Sequence, residues 1–214
     1  MRIKYPRTYH LPWSQGATDD DKTHSPSDLI EMFEGKDVVV TEKMDGENTT
    51  IYSDGYLHAR SLDSAHHPSR AWVKSNVAPA LIGNLPDGWR VCGENLYAKH
   101  SLGYDRLPNY FMTFAIYDAD NRCLSWDETV EWCGILNLAT VPVLYRGKWN
   151  EALIKESYTG KSLCGIESEG YVVRTSDGFA YDGFLGHVAK FVRANHVTST
   201  VHWAHSAVIP NKMS

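Results

Sequence analysis

Cysteine is scarce in this sequence: Cys92, Cys123, Cys133 and Cys164 are all there is, and no two of them form a CxxC pair. That spacing argues against a zinc knuckle and a dense disulfide framework, and it fits reduced thiols in a cytosolic protein. Long apolar runs are missing too. The opening MRIKYPRTYHLPW lacks the apolar stretch of a signal peptide, and no later segment approaches the roughly 20 apolar residues of a membrane span. A cytoplasmic location with no membrane role is the expectation. Nor is positive charge in excess, since 21 Lys and Arg against 26 Asp and Glu give a formal net charge of −5. This balance does not favour nonspecific binding of nucleic acid, although it leaves room for a local basic groove. Internal repeats and low-complexity linkers are also absent.

What is present is enough apolar material, 43% of 214 residues, to bury a sizeable core without staples. GATDDDKTHSPS, from Gly16 to Ser27, is the most loop-like stretch. SPSDLIEMFEG then predicts a short helix with Ser27 as N-cap, ending at Gly35. DVVVTEK and NTTIYSDGYLHARS read as β segments, with Ser53, Asp54 and Gly55 as a hairpin turn. RAWVKSNVAPALIGNL predicts one helix and WDETVEWCGILNL another, the latter with Asp127 and Glu128 at its positive N-terminal end. WRVCGENLYA reads as a strand running into a loop, and YFMTFAIYDADNRCLSW as two strands joined through Asp118 to Arg122. GIESEGYVVRTSDGFA and HVAKFVRAN are strand-like. Strands and helices mix without regular βαβ alternation, so the expected class is α+β with mainly antiparallel sheets.

Against that background TEKMDGENTTIYSDG stands out, because it crowds Lys43, Asp45, Gly46 and Asn48 between two strand-like runs. Such a cluster is either a plain hairpin with a solvated lysine or a site presented by the turn. A lysine is a nucleophile only when neutral, and desolvation or a nearby cation or metal depresses its pKa. Gly46 would let a phosphate approach the backbone closely.

Six segments in order decide how this cluster is read. EKMDGEN from Glu42, HARS from His58, CGENLYAKHS from Cys92, FMTFAIYD from Phe111, EGYVVR from Glu169 and AKFVR from Ala189 resemble motifs I, Ia, III, IIIa, IV and V of the covalent nucleotidyltransferases. That superfamily comprises ATP-dependent DNA ligases, RNA ligases and mRNA capping enzymes. Asn48, where DNA ligases and capping enzymes usually carry arginine, together with Glu42, YHLPWS and DDDK, is similar to the nick-sealing, phage-type branch of RNA ligases. The resemblance implies an adenylyltransferase domain, ATP-grasp-like, with helices flanking mainly antiparallel sheets. Only ANHVTSTVHWAHSAVIPNKMS follows the last motif, so residues 1–214 are expected to form a single domain without an OB or C-terminal helical domain.

The resemblance also assigns roles. Lys43 would attack the α-phosphate of ATP to give lysyl-AMP, AMP would pass to an RNA 5′-phosphate, and an RNA 3′-hydroxyl would displace it. Glu169 would hold Mg²⁺ or Mn²⁺, Lys190 would offset charge on the α-phosphate, Glu94 would bind the ribose and Phe114 would stack on adenine. Arg60 would contact the nucleotide and orient a strand end, Glu42 would read the adenine edge through backbone or side chain, and Asn48 would meet the nucleotide or the 3′-end. Taken singly, Phe114 also reads as a core aromatic, Glu94 as a loop carboxylate, Glu169 with Gly170 as a turn, and Lys190 with Arg193 as solvent-facing strand residues. Arg193 is the one other cation beside Lys190 in the last motif, and Glu167 is expected to share the strand face of Glu169. Lys74, Lys99, His100 and Arg106 are candidates for a strand-binding surface, whose alternative is a solvated face. The ten histidines show no metal spacing. A monomer is expected, with room for a separate RNA-binding partner. Three other readings stay open: a compact DNA ligase, disfavoured by Asn48; a catalytically silent nucleotide- or RNA-binding module; and a guanylyltransferase using GTP.

Overall fold

A computed structural model describes residues 2–64, 66–194 and 208–214. His196, His202 and His205, and Asn195 at the end of the last strand-like stretch, lie outside the described residues.

Chain order gives β1 (Tyr9–His10), α1 (Pro26–Phe33), β2 (Asp37–Lys43), β3 (Glu47–Tyr52) and β4 (Leu57–Ala59). A 3-10 turn at Pro68–Arg70 leads into α2 (Ala71–Asn76) and α3 (Ala78–Leu81), followed by β5 (Arg90–Asn95), β6 (Phe111–Tyr117) and β7 (Arg122–Cys123). The remainder is α4 (Trp126–Ile135), β8 (Ala139–Thr140), β9 (Val143–Lys148), α5 (Glu151–Ser157), β10 (Gly170–Thr175), β11 (Phe179–Ala180) and β12 (Val188–Val192). One sheet runs β1-β12-β10-β2-β9 and the other β11-β7-β6-β5-β3-β4, with β8 beside β6. Pairing is antiparallel except for β1 with β12 and β6 with β8. The α+β expectation with mainly antiparallel sheets agrees with this architecture.

Each sheet has its own hydrophobic backing. In the first, Val38, Val40, Tyr171, Val173 and Ala189 pack on Leu29, Met32 and Phe33 of α1 and Ile154 of α5. In the second, Ile51, Val91 and Ile116 pack on Val73, Leu81 and Cys133 from α2, α3 and α4. The opposite faces of the two sheets are left to meet around the cavity described below.

Three local expectations change. Ser25, not Ser27, caps α1: its hydroxyl accepts from the Asp28 N–H (3.2 Å) and the Asp28 carboxylate accepts from the Ser25 N–H (2.7 Å). Pro26 then occupies the first helical position, where a missing N–H costs nothing. The single helix expected over Arg70 to Leu85 is broken into a 3-10 turn and two short helices. Pro79 lacks the N–H that a continuous helix would donate to residue 75, and its ring crowds that carbonyl. Finally, β2 and β3 are not a hairpin: they belong to different sheets, and Met44 to Gly46 carry the chain from one to the other.

Candidate active site

The crossing from β2 to β3 leaves Lys43 lining a cavity of about 200 Å³ between the two sheets. Strand register explains which side chains reach it. On the first sheet Gly170 lies opposite Lys43, Val172 opposite both Thr41 and Lys190, and Lys190 opposite His10. Alternation therefore puts Thr41, Lys43, Val172, Arg174, Val188 and Lys190 on one face, and all six line the cavity. The second sheet contributes Asn48, paired in register with Glu94, and Phe114 from β6. Arg60, just past β4, completes the wall together with Tyr5, Pro6 and Thr8.

Seven of the eight residues singled out from sequence thus line one cavity: Glu42, Lys43, Asn48, Arg60, Glu94, Phe114 and Lys190. The eighth, Glu169, does not line it but is buried behind Lys43, whose Nζ donates to Glu169 Oε2 at 2.7 Å. Phe114 is half-buried: it lines the cavity and also packs against two core clusters, and Tyr5 meets it edge-on with ring centroids 5.0 Å apart.

Electrostatics revise one expectation about the lysine. Burial pulls the Lys43 pKa down, but the Glu169 carboxylate, with Glu94 and Asp45 behind it, outweighs burial and leaves Lys43 above its usual range. In the unliganded protein the lysine is therefore an ammonium held in an ion pair. Lys190 behaves in the opposite way, since burial and the Lys43 cation bring it down to about 8. Burial, reinforced by Glu169 and Asp45 and opposed by Lys43, pushes Glu94 up to about 8. A neutral Glu94 donates as well as accepts, which suits a hydroxyl-bearing ligand.

That shift carries a testable consequence for stability. Folded Glu94 keeps its proton up to about pH 8, whereas an ordinary glutamate loses it near 4.5. The native state thus binds more protons than the unfolded one across this window, and stability falls as pH rises through it. Glu94→Gln removes the titration. Its melting temperature should exceed the parent's by several degrees at pH 8, with the margin closing towards pH 4.5, as thermal unfolding across that range would register.

Several neighbours differ from expectation. Glu42 turns its carboxylate towards the 162–168 loop, where Oε2 accepts from the Leu163 N–H at 3.1 Å. Burial raises its pKa against bonds from Ser162, Leu163 and Ser168, while Oε1 is buried without a hydrogen-bond partner among the described residues. Gly46 is required by protein packing rather than by a phosphate, because a Cβ there would sit 2.6 Å from the Asn95 carbonyl oxygen and 2.8 Å from Leu96 Cδ2. Glu167 precedes β10 and does not share the Glu169 face; it is exposed and accepts from Arg193 at 2.7 Å. Arg193 is thereby engaged outside the cavity wall. Lys74, Lys99, His100 and Arg106 do not line the cavity either, and Arg106 donates to the Gly165 carbonyl at 3.1 Å. Among the described residues no group of three or more His, Cys, Asp or Glu is arranged to hold a metal ion.

Sequence reasoning missed three features of the site. Arg174 lies within EGYVVR, and its position two residues past Val172 was the available clue; it is buried, with its guanidinium donating to the Leu124 carbonyl at 2.6 Å and the Thr175 carbonyl at 3.2 Å. Glu47 and Arg70 form a bidentate ion pair, 2.6 Å in both contacts, that ties the start of β3 to the 3-10 turn. His10 lies buried beside Lys190 in register, its Nδ1 2.7 Å from Ser14 Oγ and its Nε2 3.6 Å from Asp21. Burial and the Lys190 cation lower that imidazole to about 4, so it remains neutral next to two lysines.

This geometry can be set against known proteins. The family model for RNA ligase matches residues 36–192, more than half of the chain and the whole span from β2 to β12. The chain belongs to the RNA ligase family. No curated protein matches it. Among solved structures, Naegleria gruberi RNA ligase with PPi is similar at a TM-score of 0.64 and 20% identity, over 89% of this chain and 56% of that one. A variant of that ligase with ATP and Mn gives a TM-score of 0.60 at 19% identity, over 90% and 56%. Another, with AMP and Mn, gives 0.55 at 19%, over 90% and 62%. The chain spans little more than half the length of these ligases, and at such identity the likeness concerns the fold. No helix among the described residues is long and apolar enough to cross a membrane.

Proposed function

We propose that the chain is an ATP-dependent RNA ligase that joins 5′-phosphate and 3′-hydroxyl ends through a lysyl-AMP intermediate. The observation that carries this reading is the Lys43 amine, lining an intersheet cavity with Glu169 at 2.7 Å and Lys190 on the same wall, in a chain of this family. Lys43 Nζ, once deprotonated, forms the N–P bond to the α-phosphate as the P–O bond to pyrophosphate breaks. An RNA 5′-phosphate oxygen then takes the AMP from Nζ, and a 3′-hydroxyl displaces AMP to make the phosphodiester. Lys190, on the cavity wall, would offset α-phosphate charge, and the half-buried ring of Phe114 would take adenine. Glu94 meets the ribose hydroxyls, Glu42 the base edge, and Arg60 and Asn48 the nucleotide or a strand end.

Mg²⁺ or Mn²⁺ would have Glu169, behind Lys43, as its carboxylate ligand. Glu169 is a hard oxygen ligand, and an ion of this type takes one or two protein carboxylates and completes its shell with phosphate oxygens and water. Such an ion would supply positive charge to the phosphates, and Glu169, which would hold it, is the carboxylate that holds the Lys43 proton in the unliganded protein. We read residues 1–214 as one adenylyltransferase domain acting as a cytoplasmic monomer, with strand binding shared with RNA structure or a separate partner.

The test is incubation with α-labelled ATP or GTP and Mg²⁺ or Mn²⁺, followed by nicked duplexes carrying RNA or DNA on the 3′-hydroxyl side. Label on the protein from ATP, then a sealed RNA strand, is the expected result. Sealing of DNA alone, or label from GTP alone, would replace the reading with the DNA ligase or guanylyltransferase alternative. No label under any condition, on protein freed of bound AMP, would leave a binding module.

A further inference from the structure

Residues 208–214 contain one buried side chain, Asn211, and it is seated inside a different part of the chain. The Asn211 amide nitrogen donates to the carbonyls of Leu96 (2.8 Å) and Ala98 (3.4 Å), and Asn211 Oδ1 accepts from the Tyr104 N–H at 2.9 Å. Its backbone N–H donates to the Tyr97 carbonyl at 2.9 Å, and its carbonyl accepts from Tyr110 Oη at 2.9 Å. On either side of it, Lys99 donates to Ile209, Lys212 to Tyr104 and Leu107 to Lys212, all through the backbone. The 96–107 segment belongs to no strand or helix, so this short stretch satisfies backbone groups that a regular element would otherwise pair.

The same segment forms the outer wall of the turn after the nucleophile. Tyr104 Oη accepts from the Asp45 N–H at 2.8 Å, and Asp45 Oδ2 accepts from the Leu102 N–H at 2.7 Å. Tyr104 is 3% exposed and Asn211 4%, so no solvent competes for either contact. A continuous path therefore runs from Asn211 through Tyr104 to Asp45, two residues past Lys43.

We propose that residues 208–214 position the nucleophile: Asn211 fastens the 96–107 segment, and through Tyr104 that segment fixes the turn that aims Lys43. Asn211 and Tyr104 are positioning residues. The inference rests on the reading of Lys43 as the group that takes AMP.

The experiment compares the full chain with Tyr104→Phe, Asn211→Ala and the double variant. Tyr104→Phe deletes a single oxygen and leaves the Asn211 bonds in place. Two readouts are taken: the single-turnover rate of AMP transfer to protein across ATP concentrations, and amide hydrogen exchange at Asp45 and over 96–107. Each single variant should slow transfer about tenfold, as small displacements of a reacting group do, with the half-saturating ATP concentration moving less than twofold. The double variant should be no slower than the slower single, because both act along one path. Exchange at Asp45 should quicken in both. If Asn211→Ala does not fold, Tyr104→Phe, which leaves every Asn211 bond in place, carries the test alone, and unchanged Asp45 exchange and transfer in it would count against the proposal. Unchanged Asp45 exchange and transfer in the Asn211 variant, or losses that multiply in the double, would overturn the proposal. If the parent itself forms no adduct, the ligase reading fails, and the exchange measurement alone decides whether the coupling exists.

Discussion

Lys43→Ala should gain no AMP on incubation with ATP and Mg²⁺, whereas the parent chain gains the mass of one AMP, as intact-mass spectrometry would show. The loss is complete because no other lysine on this wall can substitute. Lys190 lines the cavity from β12 and is brought down to about 8, yet no carboxylate among the described residues bonds to it, and it stands across β10 from Lys43. Alanine also takes the cation from Glu169, whose negative charge leads in raising the lysine's pKa, so misfolding is a second route to lost activity. Lys43→Arg separates the two causes. A guanidinium keeps the charge and the contact to Glu169 but stays protonated at any working pH, so it cannot attack phosphorus. This variant should melt within a few degrees of the parent and carry no adduct. An adduct on Lys43→Arg would move the nucleophile elsewhere and sink the assignment.

Much of this site was readable because its motifs follow one another in order, and the strands they fall on turn them to one cavity. Lys43, Thr41 and Val39 alternate on β2, and Lys190, Val172 and Arg174 continue the same face across β12 and β10. The order of the motifs, rather than a period-two pattern, gathered seven of the cavity residues, since Glu42 and Lys43 are neighbours on β2 and Arg60 lies past the end of β4. Other parts were hidden because they depend on which strands are neighbours. The apparent hairpin after Lys43 obeys every local turn rule, and only sheet membership shows that it crosses between sheets. β1 and β8 are two residues long, too short for a periodic pattern, and each is held by a longer partner. The raised pKa of Lys43 could not be read from burial alone, since its sign is set by a carboxylate 126 residues away. The seat of Asn211 is likewise invisible locally, because the groups it satisfies lie more than a hundred positions earlier.

Glu169→Gln should slow AMP transfer at least about 100-fold at neutral pH, the range found when groups that support a metal or a developing charge are removed. Its pH profile should identify why. In the parent, Glu169 is the leading charge that keeps Lys43 protonated, so the adduct rate should climb with pH well into the alkaline range. Glutamine is neutral at every pH, which leaves burial and the Lys190 cation to push the lysine down against Glu94 and Asp45. The rising limb of the rate profile should therefore move to lower pH even as its plateau falls, and raising Mg²⁺ or Mn²⁺ should recover part of the plateau. A uniform loss with no displacement of the limb would mean that Glu169 does not govern the Lys43 proton. Stability gives an independent check with a definite sign. Because the folded pKa of Lys43 lies above its ordinary 10.5, the pair stabilises the native state at all lower pH and loses that contribution only as pH rises through the folded value. The lysine side chain is 26% exposed, so the deficit in Glu169→Gln should be about 2 kcal/mol, below the range for fully buried pairs. That deficit should hold steady from pH 7 to about 10 and shrink only beyond, the opposite of the Glu94→Gln variant, whose gain in stability develops between pH 4.5 and 8. Two carboxylates in one site would then be distinguished by their titration: one holds the lysine's charge, and the other stays protonated through neutral pH.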